Sequence, residues 1–146
     1  MKKIIDGIYI RAIAHATEDE AKVLDALEFI SGRRDFERDE TVGYHGNKIV
    51  IFQMTLRKNK EIRELLNHLF KIGVIDTLLP NIQNLVDDEG NLFFRVDKQE
   101  AYLGRIALNG LDSISVRIKI LSYPRKKSVA IENIKNLIAQ IQSSPR

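Results

Sequence analysis

The chain has 146 residues, of which 44% are hydrophobic and 29% charged, with no cysteine and a formal net charge of +3. The length suits one globular domain, and the lack of cysteine excludes disulfides, thiolate metal sites and a cysteine nucleophile. No apolar run reaches the roughly 18 residues of a membrane span, and polar residues interrupt the N-terminal segment before a signal peptide could form. We therefore expect a cytoplasmic protein without a membrane partner.

A strand and a helix are predicted at the start of the chain. Residues 8–15 alternate between apolar and other side chains, which is typical of a half-buried strand. Thr17 and Glu20 have the spacing of a capping box and predict the start of a helix. Gly32 is expected to end that helix.

A hairpin and a second helix are predicted next. Residues 36–44 and 48–56 are expected to pair through a tip at Gly46. The first of these strands is highly charged and is expected at a sheet edge, whereas the second is apolar and is expected inside the sheet. Helix two is predicted from about residue 60 to 72, with Asn59 as its cap.

The second half of the chain predicts short elements followed by a clear strand and a helix. Residues 76–86 indicate a short helix or turn, and 92–96 indicate a short strand. Asp97 and Glu100 form a second capping-box pattern before a helix near 98–106. The strict alternation over 114–121 predicts a strand, and the final helix is expected to begin at a Ser128 cap.

The predicted order is β-α-β-β-α-α-β-α-β-α. Because the strands alternate between polar and apolar residues, we expect an α+β fold. Its largely antiparallel sheet should have about five strands, with helices packed mainly on one face. A single domain is predicted over 1–142, followed by a frayed tail over 143–146.

The positive charge is concentrated at the C-terminal end of the sequence. Residues 113–146 contain seven basic residues and one acidic residue, whereas 1–112 contain 16 basic and 19 acidic residues. The basic side chains lie on the polar face of the last predicted strand and in the loop after it, beside an aromatic residue, Tyr123. Such a group suits phosphate contacts and base stacking, while a solvated basic face is the alternative. Its members are Arg117, Lys119, Arg125, Lys126 and Lys127.

A second basic group precedes helix two. Arg57 and Lys58 lie at a loop-to-helix junction, where backbone N–H groups and cations together can bind a phosphate. An ordinary junction of a loop and a helix is the alternative interpretation.

The sequence contains no recognised catalytic or metal-binding pattern. Gly43 and Gly46 lack the spacing and the following Lys-Ser/Thr of a phosphate-binding loop, and no nucleophile elbow is present. Among the histidines, His68 lies beside the stripe of helix two, and His15 and His45 lie at predicted strand ends without an evident third ligand. We expect no cofactor, no metal and no enzymatic activity.

Two segments resemble a known family. Residues 14–20, followed by Lys22 and Val23, read AHATEDE, and residues 43–49 read GYHGNKI. These segments resemble a family of small archaeal RNA-binding proteins, some described as predicted exosome subunits. The resemblance implies a fold like a double-stranded-RNA-binding domain and like the ribosomal protein that binds 5S rRNA. The family often has Pro after His-Gly-Asn, where this chain has Lys48 and thus an additional charge.

These observations predict a non-catalytic protein that binds structured RNA by shape and backbone. If the first strand adjoins the hairpin, His15 and His45 could meet a ribose or phosphate, and local structural roles are the alternative. The expected partners are RNA and an exosome- or ribosome-related complex. The main alternative is a protein-interaction module or homodimer whose open sheet face binds a partner, and an RNA-modifying or RNA-cleaving enzyme is the third.

Overall fold

The computed structural model describes residues 3–143 and has an α+β fold with a five-stranded, antiparallel, open sheet. Helices account for 42% of the chain and strands for 30%, which confirms the predicted fold class. The order along the sheet is β2-β3-β1-β5-β4. The strands are β1 (Ile5–His15), β2 (Glu37–Val42), β3 (Lys48–Leu56), β4 (Asn91–Asp97) and β5 (Ser113–Ile120).

Six α-helices and one 3₁₀ turn accompany these strands in residues 3–143. The helical segment predicted over 76–86 is three short pieces, because Pro80 lies at the start of a 3₁₀ turn. The helix predicted near 98–106 ends four residues early, at Tyr102. The helical elements are α1 (Glu20–Ser31), α2 (Asn59–Lys71), α3 (Val74–Leu78), the 3₁₀ turn (Leu79–Asn81), α4 (Ile82–Leu85), α5 (Lys98–Tyr102) and α6 (Lys127–Ser143).

One face of the sheet is buried and the other is partly open. On β5, Ile114, Val116, Ile118 and Ile120 are each at most 3% exposed, while the residues between them are half-buried or exposed. The same alternation runs along β4. Every residue of β2 is exposed and β3 lies inside the sheet, as predicted.

Three predicted helix caps are wrong. The Asp19 carboxylate, and not Thr17, caps α1 by accepting a 2.9 Å hydrogen bond from the Ala21 N–H. A backbone hydrogen bond from Glu18 to His15 forms a turn there, so α1 begins beyond it. Asn59 is the first residue of α2, and Ser128 is already the second residue of α6.

Other predicted ends are confirmed. Asp97 caps α5 by accepting a 2.9 Å hydrogen bond from the Glu100 N–H. Gly32 ends α1 in the left-handed conformation with φ of 73°. In the β2–β3 hairpin, Val42 pairs with Lys48, and Gly46 at the tip has φ of 78°.

The chain divides into two compact units of opposite charge. The first comprises residues 1–8, 56–93 and 117–146, with 14 basic and 8 acidic residues, and we call it the basic unit. The second comprises residues 9–55 and 94–116, with 9 basic and 12 acidic residues, and we call it the acidic unit. Their net charges are therefore +6 and −3.

The ends of the chain are described only in part. Of the tail predicted over 143–146, Ser143 is the last residue of α6, and the other three lie outside the described residues. The single domain predicted over 1–142 stays a prediction. Within residues 3–143, every helix is too short or too polar to span a bilayer.

Candidate nucleic-acid interface

The basic unit contains the cations predicted at the C-terminal end of the sequence. Arg117 and Lys119 lie on the open face of β5, because the residues alternating with them are buried. The Lys119 Nζ lies 3.8 Å from Asp6 Oδ2 on β1. Arg125 and Lys126 are exposed in the loop after β5, and Lys127 is the first residue of α6.

An aromatic ring accompanies these cations. Tyr123 lies in the same loop and is 94% exposed. An exposed aromatic ring in the same loop as Arg125 and Lys126 is a surface of the kind on which bases stack. The ring and these cations are therefore all exposed, and their part in binding stays a prediction.

The structure brings the second basic group to the same end of the sheet. Arg57 and Lys58 are exposed between β3 and α2. The Lys3 ammonium donates a 3.0 Å hydrogen bond to the Arg57 carbonyl, and the neighbouring Ile4 carbonyl accepts from the Leu121 N–H at 2.6 Å. The start of β1 thus contacts both the β3–α2 junction and the end of β5, and the two basic groups lie on either side of it.

The amino end of α2 lies at the same β3–α2 junction. The N-cap residue is Lys58, and its described side chain makes no capping hydrogen bond. The first N–H groups of a helix carry partial positive charge and favour an anion. Lys58 and Lys60 are both exposed there, so cationic side chains and helix N–H groups occur together.

The other predicted site residues belong to the acidic unit. Lys48 Nζ lies 3.3 Å from Glu20 Oε2 and 4.0 Å from Glu40 Oε1. His45 is at the exposed hairpin tip, edge-to-face with Tyr44 at 5.1 Å between ring centroids. Lys48 is therefore engaged with carboxylates, and the roles of all three residues, His15 included, stay predictions.

Glu20 is the centre of an ion-pair network in the acidic unit. Arg38 donates two hydrogen bonds to its carboxylate, at 2.7 and 3.1 Å. These hydrogen bonds lower the pKa of Glu20 from 4.5 to about 2. The residue predicted to close a capping box instead connects α1 to β2 and, through Lys48, to β3.

A buried lysine in the acidic unit is a feature that the sequence analysis missed. Lys98 is only 2% exposed, and its ammonium has three acceptors. These are the Ile13 carbonyl at 2.6 Å, Glu18 Oε1 at 2.8 Å and Asp112 Oδ2 at 2.7 Å. Three acceptors satisfy all three N–H donors of an ammonium. The sequence pattern could have indicated this burial, since residue 98 continues the alternation of the buried Leu92, Phe94 and Val96.

Lys98 also pairs with two carboxylates of a possible metal site. In the described part of the chain, His15, Glu18 and Asp112 form the group whose ligand atoms could surround a metal ion. His15 Nε2 lies 3.7 Å from Asp112 Oδ2 and 4.0 Å from Glu18 Oε1. Because the Lys98 ammonium already pairs with both carboxylates, the cluster is accounted for as an internal ion network. The Glu18 carboxylate also accepts a 2.9 Å hydrogen bond from the backbone N–H of His15.

Comparison with known proteins places this architecture in a family. A family model described as RNA binding matches residues 7–120. The chain belongs to this family. The RNA-binding protein PAB1135 from Pyrococcus abyssi is 36% identical over 141 residues, which cover 88% of this chain and 90% of the relative. The uncharacterized protein MJ0213 from Methanocaldococcus jannaschii is also 36% identical, over 151 residues that cover 93% of this chain and 97% of that protein.

A solved structure shows the same fold. Mth689, a DUF54 protein from Methanothermobacter thermautotrophicus, superposes with a TM-score of 0.74 and 33% identity, and the match covers 93% of this chain and 99% of Mth689. These relatives come from archaea, as the sequence resemblance implied. The likeness to a double-stranded-RNA-binding domain and the association with an exosome stay predictions.

Proposed function

We propose that this protein binds structured RNA through its basic unit and catalyses no reaction on it. The observation that carries the proposal is the convergence of two basic groups at one end of the sheet, within a unit of net charge +6. Arg57 and Lys58 reach this end from β3, and Arg125 and Lys126 reach it from β5. Membership of an RNA-binding family and the relative named as an RNA-binding protein support RNA as the polyanion.

The chemistry of these groups favours recognition of backbone and shape over base sequence. Lysine ammonium groups and helix N–H groups bind phosphates, which every RNA presents. In A-form RNA the major groove is too deep and narrow for side chains to read, so phosphates and 2′-hydroxyls dominate the accessible surface. An RNA-processing, exosome-like or ribosome-related assembly stays the predicted setting for such binding.

The test is the salt dependence of RNA affinity in matched charge variants. Lys58→Ala with Lys126→Ala removes two exposed cations of the basic unit. The control, Lys22→Ala with Arg105→Ala, removes two exposed cations of the acidic unit and changes net charge equally. We expect the first variant to bind an RNA hairpin more weakly. Each lost phosphate contact should reduce the magnitude of the log–log salt slope by roughly 0.7–0.9.

Three outcomes would contradict the proposal. Equal losses in both variants would show that only net charge matters, and an unchanged slope in the first variant would place the contacts elsewhere. Wild-type protein without salt-sensitive RNA binding would exclude the function itself.

One observation favours the protein-interaction alternative. In the acidic unit, Ile13 on β1 and Ile49 and Ile51 on β3 alternate with buried residues and are only half-buried. Apolar residues on an open sheet face suit a protein partner or a second copy of the chain. A dimer found by solution mass measurement and disrupted by Ile51→Lys would support this second function, and a monomer at high concentration would exclude the homodimer.

A further inference from the structure

An aromatic side chain of the basic unit is exposed on the partly open face of the sheet. Phe93 on β4 is 46% exposed, although its neighbours in the strand, Leu92 and Phe94, are 2% and 4% exposed. Because alternate residues of a strand point to opposite faces, the Phe93 ring points away from the core. The sheet therefore presents an aromatic ring to solvent at this position.

The pairing of β4 with β5 places a basic residue beside this ring. The Ile120 N–H donates a 2.9 Å hydrogen bond to the Gly90 carbonyl, and β5 is the neighbour of β4 in the antiparallel sheet. A ladder hydrogen bond of an antiparallel pair joins directly opposite residues. Three steps along each strand from this bond therefore place Arg117 opposite Phe93. The same count pairs buried residues of β4 with buried residues of β5, as a shared face requires.

Lys119 adds a cation to the same face of β5, two residues beyond Arg117. Its ammonium lies 3.8 Å from Asp6 Oδ2, which is longer than a hydrogen bond, and the two side chains are 39% and 37% exposed. Exposed ion pairs of this kind are weak, so a phosphate can compete with Asp6 for the ammonium. An aromatic ring and a phosphate-binding group thus occur together in the unit of net charge +6.

An unpaired nucleotide is the occupant that this surface fits best. A base has a π-face that stacks on an aromatic ring, and the phosphate attached to it is anionic. In a continuous A-form helix the bases stack on one another, so a ring on a sheet face meets a base only at a loop, a bulge or a single strand. The positive charge of the surrounding unit favours such a polyanion over an uncharged peptide.

Resting on the proposed function, we propose that Phe93 stacks on an unpaired base of the bound RNA and that the Lys119 ammonium contacts an adjoining phosphate. The RNA recognised is then a helix interrupted by a loop or a bulge. The basic groups at the end of the sheet bind phosphates of the helical part, and the open face of β4 and β5 binds the unpaired nucleotide. Because every base has a π-face, the site distinguishes unpaired from paired nucleotides and is tolerant of base identity.

Two hairpin RNAs with the same number of phosphates test this proposal. One carries a single bulged uridine, and the other carries an abasic residue at that position. We expect the wild-type protein to bind the RNA that carries the base about tenfold more tightly, equivalent to about 1.4 kcal/mol. Both RNAs should give the same salt slope, because they present the same phosphates.

Substitutions at Phe93 show whether the aromatic face is responsible for the preference. Phe93→Leu keeps an apolar side chain without the ring and should reduce the preference to less than about twofold. Phe93→Tyr keeps the ring and should retain the preference. The matched control is Tyr102→Leu, which removes a ring of similar exposure, 40%, from the acidic unit and should also retain it. Since none of these substitutions changes a charge, the salt slope should equal that of the wild-type protein.

Photocrosslinking locates the base on the unaltered protein. On irradiation, 5-iodouracil at the bulged position forms a covalent bond with an aromatic side chain stacked on it, with loss of hydrogen iodide, and mass spectrometry identifies the residue. We expect the cross-link at Phe93. A cross-link that forms only elsewhere, for example at the exposed Tyr123, or no cross-link at all, would overturn the proposal. This result does not depend on whether Phe93→Leu folds.

Failures of the two proposals are distinguishable. Salt-sensitive binding with equal affinity for both RNAs would overturn stacking on Phe93 and leave RNA binding intact. A preference that survives Phe93→Leu, or that is lost in Phe93→Tyr or in Tyr102→Leu, would also overturn it. Absence of salt-sensitive binding to either RNA would overturn the proposed function and the stacking site together.

Discussion

The buried ammonium of Lys98 allows a quantitative test of the acidic unit. Lys98→Met keeps a side chain of similar length and removes the charge. Removing one partner of a fully buried ion pair costs about 3–5 kcal/mol. Glu18 and Asp112 are 19% and 40% exposed, so water can partly solvate them after the change. The Ile13 carbonyl, which is only partly buried, loses its ammonium donor, and the full penalty for a buried acceptor without a donor, about 1–3 kcal/mol, is an upper bound here.

We therefore expect Lys98→Met to lower the free energy of unfolding by about 2–4 kcal/mol. Urea denaturation, monitored by far-UV circular dichroism, gives this difference in free energy from the shift of the unfolding midpoint when the m-value is unchanged. Lys22→Met is the matched control, since Lys22 is exposed and its ammonium lies 5.6 Å from the centre of the Tyr102 ring. That control should lose less than about 1 kcal/mol.

The electrostatic explanation has its own test. Adding Glu18→Gln and Asp112→Asn to Lys98→Met removes both carboxylates that have lost their counterion. The triple variant should be more stable than Lys98→Met alone, because amide groups repel each other less than carboxylates. A Lys98→Met loss below about 1 kcal/mol, or a less stable triple variant, would refute the reasoning.

Two further predictions concern α1. In the same urea assay, Asp19→Ala should lower the free energy of unfolding by about 0.5–2 kcal/mol, because it removes the cap of α1. Thr17→Ala should lower it by clearly less. A larger loss for Thr17→Ala than for Asp19→Ala would show that Thr17 is the cap. Because the folded-state pKa of Glu20 is lowered from 4.5 to about 2, its ionised form stabilises the fold above pH 4.5, and this contribution is lost as pH falls toward 2. The stability difference between wild type and Glu20→Gln should shrink across that window, and a constant difference would contradict the assignment.

Much of the fold could be predicted from local patterns. The alternation over 114–121 predicted β5 together with the outward orientation of Arg117 and Lys119, and the structure has both. The charged strand at the edge and the Gly46 turn were also predicted correctly. These features depend on residues close in sequence, since a strand repeats every two residues and a turn needs only a few specific positions.

Helix starts were less predictable, because several polar residues in a row compete for one cap. At the start of α1, Thr17, Glu18 and Asp19 can all accept from backbone N–H groups. A tertiary contact removes one of these candidates, because the Glu18 carboxylate pairs with the distant Lys98 ammonium, and Asp19 makes the cap. The sequence contains the candidates, and a contact with a distant residue engages one of them.

The sequence by itself determined the fold class, most strands and helices, and the charge of each segment. Only the tertiary structure placed Lys3 beside Arg57, Ile4 beside Leu121 at the end of β5, and Lys98 between Glu18 and Asp112. The physical reason is that strand order is set by hydrogen bonds and core packing between segments far apart in the chain. Local periodicity shows which face of a strand is buried, and it does not show which strand lies next to it.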